Sequence, residues 1–446
     1  MNFIKQPEKQ IPVVYDADVC ILGGSCTGVF AAIRAARLGA KVVLVEKLNC
    51  LGGTATAGLV NVWHSLLDTD YNEQIIGGLT YEVEQKLLKE NAAIIENNDS
   101  VGCRFNSARL SCLLDEIVIQ NNIKLYLHTF FSEVVTDGER IKAIIVDNKD
   151  GRCAITSKFF IDASGDGDIA RDIGIESFRY NYLQPPSSCF YIQGDTDDCD
   201  LFELITNYGE EFGLDDDWGW KGFIPGIKNV SFRADNHIFD VDCCNANDLT
   251  KAEIDGRRKA KAFTDLLKKY HNNEIELISL CSSLGVRDSV HYKTSFCANE
   301  YDLLIGRQYD STVMKGTYRV DIHHQEDNGI TFKYLNGATT TFYGKSGKVV
   351  KGNWREELGI SGECAKYYCV PFEILVQEKI KNFIPVGRMI NADSSAFGAL
   401  RVMVNLNQLG EAAGVAASIC VDTGIDIDKV SGVKVRNVLN QGGSLL

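Results

Sequence analysis

Four basic side chains of this sequence have the chemistry that binds an anion and moves a proton: His64, Arg287, His291 and Arg401. An arginine offers fixed N–H donors for a carboxylate or for neighbouring hydroxyl oxygens. A histidine titrates near neutral pH, so it accepts or releases a proton under working conditions. The chain has only seven histidines. We expect the arginines to anchor a polar substrate and His64 or His291 to act as the general acid or base.

Each candidate also has a purely structural explanation. His64 follows Trp63 and would pack against it in a loop. Arg287 stands beside Asp288, which offers an ion pair, and Arg401 would hold the loop before a helix. These alternatives stay open at the level of sequence.

A histidine pair, His323 and His324, ends the alternating run TYRVDIHH. Alternation along a strand sends neighbouring side chains to opposite faces. We therefore expect at most one of the two to point inward, and no metal site from the pair.

The segment DADVCILGGSCTGVFAAIRAARLGAKVVLVEK has the form of a dinucleotide-binding βαβ unit. It reads as a buried strand at 19–22, a helix at 30–38 and a second strand at 42–45 that ends at Glu46. A glycine turn brings the backbone and a helix N-terminus close to a pyrophosphate, and the acid accepts hydrogen bonds from a ribose. The predicted turn residues are Gly23, Gly24, Ser25, Cys26, Thr27 and Gly28.

Ser25 replaces the middle glycine of the G-x-G-x-x-G pattern. Its Cβ crowds the phosphate, although its hydroxyl is also able to donate to it. The alternative is a βαβ crossover that binds no ligand.

Four later segments favour FAD over NAD as the dinucleotide. The loop after Glu46 suits the phosphates and ring of a flavin, although it also reads as an ordinary turn, and a strand at 159–161 ends in small residues. A strand at 383–386 precedes a polar loop and a helix at 402–420, whose positive end favours the negative charge of a reduced flavin. The residues expected to contact the cofactor are Lys47, Gly53, Thr54, Ala55, Thr56, Ala163, Ser164, Gly165, Gly387, Arg388, Gly398, Arg401 and Val402.

Small residues of the last helix, Gly410, Ala413, Gly414 and Ala417, fall on one face. We expect this face to be a close packing surface.

The stretches GGTATAGLVNVWH, FIDASGDGDIA, LGVRDSVHY and GALRVMVNLNQLGEAAGVAA resemble FAD-dependent oxidoreductases distantly related to the fumarate reductase and succinate dehydrogenase flavoproteins. The resemblance implies an α/β fold: a Rossmann-like, glutathione-reductase-type FAD-binding domain, discontinuous in sequence, with an inserted α+β substrate or cap domain. The implied divisions are 1–170, 171–375 and 376–446. Many relatives carry tandem arginines where this chain has Val290 and His291, so the resemblance does not extend the active-site assignment beyond Arg287.

The expected activity is hydride transfer between flavin N5 and a small polar organic substrate. The substrate would be either a sugar or polyol alcohol or an activated alkene acid, and the electron acceptor or donor is left open. The alternatives are an NAD-dependent dehydrogenase and a non-catalytic flavin-binding electron carrier.

Composition limits the partners. The 446 residues carry a formal net charge of −14, which disfavours nucleic acid and anionic membranes. No apolar run is long enough to span a bilayer, and the N-terminus lacks the core of a signal peptide. The fifteen cysteines are dispersed without C-x-x-C spacing, so we expect reduced thiols, no metal site and a cytoplasmic protein. An oligomer is possible.

Further local patterns complete the expectations. Strands are expected at 125–135, 141–148 and 153–161, and helices at 109–121 and 250–270, the latter with Thr250 as N-cap and Glu253 in a capping box. GKSG at 344–347 is interpreted as a hairpin turn. The acidic run at 215–217 is interpreted as a solvated loop rather than a metal site.

Overall fold

The structure is a computed structural model that describes residues 2–98, 100–196, 199–214, 221–234, 236–324 and 328–446. The acidic run at 215–217 lies outside the described residues. Of the described helices, none is long and apolar enough to cross a membrane. All fifteen cysteines are free thiols.

The described strands follow in chain order: β1 Val13–Leu22, β2 Val42–Val45, β3 Val62–Trp63, β4 Ala93–Ile95, β5 Cys103–Phe105, β6 Lys124–Tyr126, β7 Phe130–Asp137, β8 Arg140–Asn148, β9 Gly151–Asp162, β10 Ser177–Phe178, β11 Phe190–Gln193, β12 Lys221–Phe223, β13 Val230–Arg233, β14 Glu276–Leu280, β15 His291–Tyr292, β16 Thr312–Gly316, β17 Val320–His323, β18 Ile330–Lys333, β19 Ala338–Tyr343, β20 Lys348–Asn353, β21 Tyr368–Pro371 and β22 Phe383–Pro385.

The described α-helices are α1 Cys26–Arg37, α2 Gly78–Lys89, α3 Ser107–Gln120, α4 Asp168–Asp172, α5 Leu201–Tyr208, α6 Ala246–Tyr270, α7 Glu300–Leu304, α8 Trp354–Glu357, α9 Ser394–Leu400, α10 Met403–Thr423 and α11 Gly432–Gln441. Short 3-10 helices occupy Gly53–Ala55, Gly209–Phe212, Gly344–Ser346, Phe372–Leu375 and Ile427–Lys429.

A seven-stranded sheet organises the fold. Its strand order is β6-β2-β1-β9-β8-β7, and β22 pairs with the C-terminal end of β9. β6, β2, β1, β9 and β22 run parallel, whereas β7 and β8 form an antiparallel meander with β9. The last quarter of the chain thus returns to the sheet begun by the first, which confirms a mixed α/β fold with a parallel sheet.

Helices α1 and α10 pack against each other without intervening side chains. A Cβ at Gly410 would overlap the Thr27 carbonyl oxygen, and a Cβ at Gly414 would overlap that of Ala31. The small-residue face of α10 is therefore a close packing surface, as predicted, because the two backbones meet there.

Two four-stranded antiparallel sheets lie between β9 and β22 in sequence. One has the order β12-β13-β11-β14, and α6 covers it through a cluster that includes Phe190, Phe263 and Leu267. The other is the meander β17-β18-β19-β20. The boundaries at 170 and 375 stay predictions.

Several local predictions are confirmed with adjusted limits. β2 has the predicted bounds, and α1 begins at Cys26, four residues before the predicted start. The strand predicted at 125–135 is interrupted, because His128 between β6 and β7 has a φ of 50°. Residues 344–346 form the predicted turn between β19 and β20.

The predicted cap of the helix at 250–270 is wrong. The helix begins at Ala246, and the Asn245 side chain accepts hydrogen bonds from the backbone of Asn247 and Asp248. Thr250 instead donates to the Ala246 carbonyl one turn back. Glu253 accepts from the Leu284 backbone N–H, so its carboxylate ties the helix to another loop.

Candidate functional site

One large cavity opens at the carboxyl ends of the parallel strands. Its volume is about 740 Å³. Gly23, Glu46 and Ala163 directly follow β1, β2 and β9, and Gly387 stands two residues after the end of β22; all four line the cavity. Ligands of open parallel sheets bind at this edge, because the loops that follow neighbouring strands converge there.

Glu46 and most residues of the glycine turn line the cavity. Glu46 is buried, and its two carboxylate oxygens accept hydrogen bonds from the backbone N–H groups of Gly24 and Leu48 at 2.5 and 2.7 Å. These bonds hold the acid at the cavity wall. Each oxygen keeps a lone pair for a ribose hydroxyl.

The loop after β2 packs directly on the glycine turn. The Gly52 N–H donates to the Gly24 carbonyl at 2.8 Å. Gly53 has a φ of +55°, and a Cβ there would press on the Ser25 side chain, so this contact requires glycine. Gly53 and Thr54 line the cavity beside Ser25.

Arg287 also lines the cavity. Its guanidinium donates to the Pro185 carbonyl at 2.8 Å and to Ser187 Oγ at 2.6 Å, and it lies 3.1 Å from His237 Nε2. Burial and the nearby Arg401 lower its pKa to about 10, so it stays charged at neutral pH. No carboxylate of the described residues pairs with it. The alternative of an ion pair with Asp288 is therefore not seen among the contacts of the described residues.

A buried carboxylate, Asp321 on β17, organises the same wall. It accepts from Tyr318 Oη at 2.5 Å and lies 3.4 Å from both Arg401 Nη2 and His323 Nε2. Burial opposes its ionisation, but Arg401, His323 and the Tyr318 hydrogen bond hold its pKa well below the usual value. Burial and Asp321 raise the pKa of Tyr318.

His64 and His323 bring imidazole rings to this wall. His64 lies on Tyr318 with ring centroids 3.9 Å apart, and its Nδ1 has no hydrogen-bond partner among the described residues. Burial and Arg319 lower its pKa to about 3. Burial and Arg287 lower the pKa of His323 well below the usual value, so both rings are neutral at pH 7.

The comparison with protein families decides the class. The model of the FAD dependent oxidoreductase family matches residues 18–439. The chain belongs to this family. It is an FAD-dependent oxidoreductase, and the NAD-dependent alternative is set aside.

Solved structures give only distant likenesses. A geranylgeranyl bacteriochlorophyll reductase-like protein from Thermoplasma acidophilum is 10% identical, with 96% of this chain and 82% of that chain covered and a TM-score of 0.44. The p-nitrophenol 4-monooxygenase PnpA from Pseudomonas putida DLL-E4 is 11% identical, with 96% and 84% covered and a TM-score of 0.44. The flavin-dependent brominase Bmp2 is 12% identical, with 95% and 84% covered and a TM-score of 0.44. No curated protein matches the sequence. These likenesses add nothing about substrate or reaction.

The residues of the cavity fit FAD. Asn407, in the first turns of α10, is almost wholly buried, and both its amide nitrogen and its amide oxygen lack a partner among the described residues. A buried amide without partners is costly, so it indicates a polar ligand. Gly387, with a φ of +114°, has open space where a Cβ would stand.

Most predicted cofactor contacts line this cavity of the oxidoreductase. They are Gly23, Ser25, Cys26, Thr27, Glu46, Lys47, Gly53, Thr54, Ala163, Ser164, Gly165, Gly387, Arg388, Arg401 and Val402. Arg388 also pairs with Asp166, four residues after the end of β9, so the ion pair joins the loops that follow β9 and β22 at the cavity.

Several predicted contacts lie behind the wall instead: Gly24, Gly28, Ala55, Thr56 and Gly398. A Cβ at Gly28 would overlap the Gly23 carbonyl, so this glycine serves the packing of α1 on the turn. A Cβ at Gly398 would meet the Asp321 backbone, and Thr56 donates to the Leu51 carbonyl. In this structure the glycines allow close packing, and the Thr56 hydroxyl makes a hydrogen bond within the protein.

His291 also lies away from the cavity, in contrast to the prediction. It is fully buried, with Nε2 3.1 Å from Asp288 Oδ1 and Nδ1 3.0 Å from the Ile390 carbonyl. Tyr180 and Phe397 pack against its ring. Both ring nitrogens are engaged, so His291 is a core residue.

Sequence reasoning missed Asn407, Tyr318 and Asp321. Asn407 follows the predicted helix start closely, so a polar residue in the first turns was a signal within reach. Asp321 stands two residues before His323 on the same strand, and alternation places both on one face. His324, on the other face, pairs with Thr331, as the alternation predicts for one member of the pair.

Proposed function

We propose that this FAD-dependent oxidoreductase acts on a small organic substrate that carries a carboxylate, bound by Arg287 and Arg401. The observation that carries the proposal is Arg287. It is a charged group on the cavity wall whose described partners are a carbonyl, a hydroxyl and an imidazole. An enclosed cation gains most from an anionic ligand, because a charge-assisted hydrogen bond is about twice as strong as a neutral one. Of the two predicted substrate classes, this favours an activated alkene acid over a neutral sugar or polyol.

FAD, when bound, supplies the hydride acceptor or donor. The chain would hold its ribose through Glu46, its phosphates through the glycine turn and the loop at Gly53, and its ring near Asn407. The positive end of α10, which begins at Met403, faces the cavity through Val402 and Met403. This dipole favours negative charge at that place.

His64 or His323 would move the proton that accompanies hydride transfer. Asp321 lies beside His323 and would stabilise the ring when it becomes charged, as a carboxylate does for a catalytic imidazole. A substrate carboxylate on Arg287 would offset the charge that lowers the pKa of His323. Substrate binding would therefore raise the pKa of His323 toward the range suited to proton transfer.

The proposed division of labour follows the chain. Arg287, Asp321 and His323 belong to the segment 171–375, whereas Glu46, Gly387 and Asn407 belong to its flanks. We propose that the flanks hold FAD and that the middle segment selects the substrate.

Anaerobic titration of the holoenzyme tests the function. Unsaturated acids should reoxidise the reduced flavin, whereas sugars and polyols should leave both flavin states unchanged. Arg287→Gln should weaken acid binding by about tenfold to hundredfold, because it removes a charge-assisted contact worth about 1.5–3 kcal/mol. Arg109→Gln, which removes an exposed partner of Glu90, is the matched control. Bleaching of the flavin by a polyol, unaltered in Arg287→Gln, would reject the proposal.

Single-turnover kinetics separate the two histidines. The responsible His→Ala variant should slow flavin oxidation or reduction by roughly 10²–10⁴-fold and keep bound FAD. Equal rates in His64→Ala, His323→Ala and the parent enzyme would place proton transfer elsewhere.

A further inference from the structure

One face of the β17–β19 meander forms a wall of the cavity. The side chains that line the cavity from these strands are alternate residues: Asp321 and His323 on β17, Ile330 and Phe332 on β18, and Phe342 on β19. This spacing matches the period of two that places alternate side chains on one face of a sheet.

The strand register joins a polar half of this face to an apolar half. Asp321 pairs with Phe332, and His323 pairs with Ile330, which in turn pairs with Phe342. Directly opposed side chains of antiparallel strands have Cβ atoms about 5 Å apart. The apolar side chains therefore begin one strand spacing from the groups that surround Arg401 and Arg287.

The apolar half is not part of the packed interior. Ile330, Phe332 and Phe342 are only partly buried, and none belongs to the apolar core clusters of the described residues. Arg319 covers part of the Phe332 ring, with its guanidinium carbon 4.1 Å from the ring centroid. The remaining apolar surface faces the cavity, where an organic ligand would remove it from water.

We propose that the substrate is amphipathic: its carboxylate binds Arg287, and an apolar body of several carbons lies on Ile330, Phe332 and Phe342. This inference rests on the proposed function, because Arg287 sets the position of the carboxylate. It narrows the substrate class from small polar acids to acids with an alkyl or aryl group. A short acid would leave the apolar face in contact with water.

A homologous series of ligands tests the inference on the unmodified holoenzyme. The probes are acetate, butanoate, hexanoate and octanoate, with hexan-1-ol as the uncharged counterpart, and the readout is the perturbation of the visible flavin spectrum. Each buried methylene should tighten binding by about threefold to fourfold. Hexan-1-ol should bind more weakly than hexanoate.

Variants then locate the apolar body. Phe342→Ala should weaken the binding of hexanoate and octanoate by about tenfold and leave the binding of acetate unchanged. Tyr343→Ala, on the same strand but the opposite, exposed face, should keep the full series. Arg287→Gln should weaken all four acids by a similar factor.

The outcomes distinguish this inference from the proposed function. A flat series in the parent enzyme, with all acids weakened by Arg287→Gln, would overturn the amphipathic substrate and leave the carboxylate site standing. Acids that bind no better than hexan-1-ol, or that ignore Arg287→Gln, would overturn both. An equal effect of Phe342→Ala and Tyr343→Ala on the series would overturn the placement on this face.

Discussion

At the scale of single residues, buried polar side chains differ in whether other protein groups satisfy their hydrogen bonds. Asn405 and Asn407 show the difference within two positions of one helix. Asn405 donates to Tyr368 Oη at 2.9 Å and to the Ala399 carbonyl at 3.0 Å. Asn407 has no such partner among the described residues. The two asparagines are almost equally buried, but only the amide nitrogen of Asn405 is bonded within the protein, so we expect Asn407 to bind the ligand.

Leucine substitutions at these two positions should have opposite effects. Asn407→Leu should leave the apo-protein as stable as the parent or more stable, because it removes an unpartnered buried amide, and it should weaken FAD binding by about tenfold. Asn405→Leu should destabilise the apo-protein by about 1–3 kcal/mol, since it removes two buried hydrogen bonds donated by the amide nitrogen. Urea unfolding and FAD titration measure both. Equal destabilisation of the two apo-proteins would show that Asn407 has a structural role.

At the scale of elements, packing decides which charges and which glycines the chain tolerates. Helix α2 carries Glu84 on its buried side and Glu82 on its exposed side. Burial raises the pKa of Glu84 to about 7, whereas hydrogen bonds from Arg37 and Lys86 lower that of Glu82 to about 2. The two glutamates of this helix therefore contribute to the free energy of unfolding with opposite pH dependence.

Glutamine substitutions on α2 should reveal these opposite signs. The folded-state pKa of Glu84 is about 7 and lies above its unfolded value of about 4.5, so between these values the folded protein binds the extra proton and its stability falls as pH rises. Glu84→Gln should therefore stabilise the protein at pH 8, by on the order of 1–3 kcal/mol, and much less at pH 5.

Glu82→Gln is the control for that substitution. The pKa of Glu82 is depressed, so its contribution is present above pH 4.5 and is lost as pH falls toward 2. The substitution should cost about 0.5 kcal/mol at pH 8, because the pair is exposed and screened. Free energies of unfolding at the two pH values decide. A pH-independent effect of Glu84→Gln would contradict the buried acid.

The close contact of α1 with α10 predicts that a larger side chain there lowers both stability and FAD affinity. Gly410→Ala places a methyl group against the Thr27 carbonyl, so the helices must separate, at a cost of about 1–3 kcal/mol. FAD affinity should fall as well, because α1 begins at the glycine turn. Gly424→Ala is the control at the end of α10: its φ of +72° costs about 1 kcal/mol, but no atom lies within 4 Å. FAD affinity unchanged in Gly410→Ala would show that α1 tolerates the shift.

At the scale of the whole molecule, the cavity is assembled from distant parts of the chain. Residues that follow β1, β2, β9 and β22 build one wall, and Arg287 together with residues of β17, β18 and β19 builds the other. Neither wall is complete without long-range packing. A ligand that contacts both walls therefore stabilises the molecule as a unit.

Removal of FAD should lower the melting temperature of the protein. Free FAD at a hundredfold excess over its dissociation constant stabilises the folded state by about 2.7 kcal/mol. Asn407→Leu should show a smaller rise on addition of the same FAD concentration, because its affinity is lower. Thermal melts of apo- and holo-protein test this. Identical melting temperatures would mean that FAD binds folded and unfolded chains alike.

The sequence alone determined the parts of the site that depend on local spacing. The strand at β2, the turn from Gly23, the acid Glu46 and the helix after Val402 follow from periodicity, glycines and charge over short distances. The family resemblance located the return of the chain near Gly387. These local features predict a dinucleotide, and the later segments together with the family match identify it as FAD.

Only the tertiary structure decided which basic side chains meet. Arg287 and His291 are four positions apart, yet Arg287 lines the cavity and His291 packs in the core between Asp288 and Ile390. His323, ranked behind His64 by sequence, reaches the wall through the register of β17 on β18. Strand pairing and helix contacts join residues that are far apart in the chain, and these long-range contacts cannot be predicted from local sequence spacing. The direction of a side chain therefore follows from long-range packing.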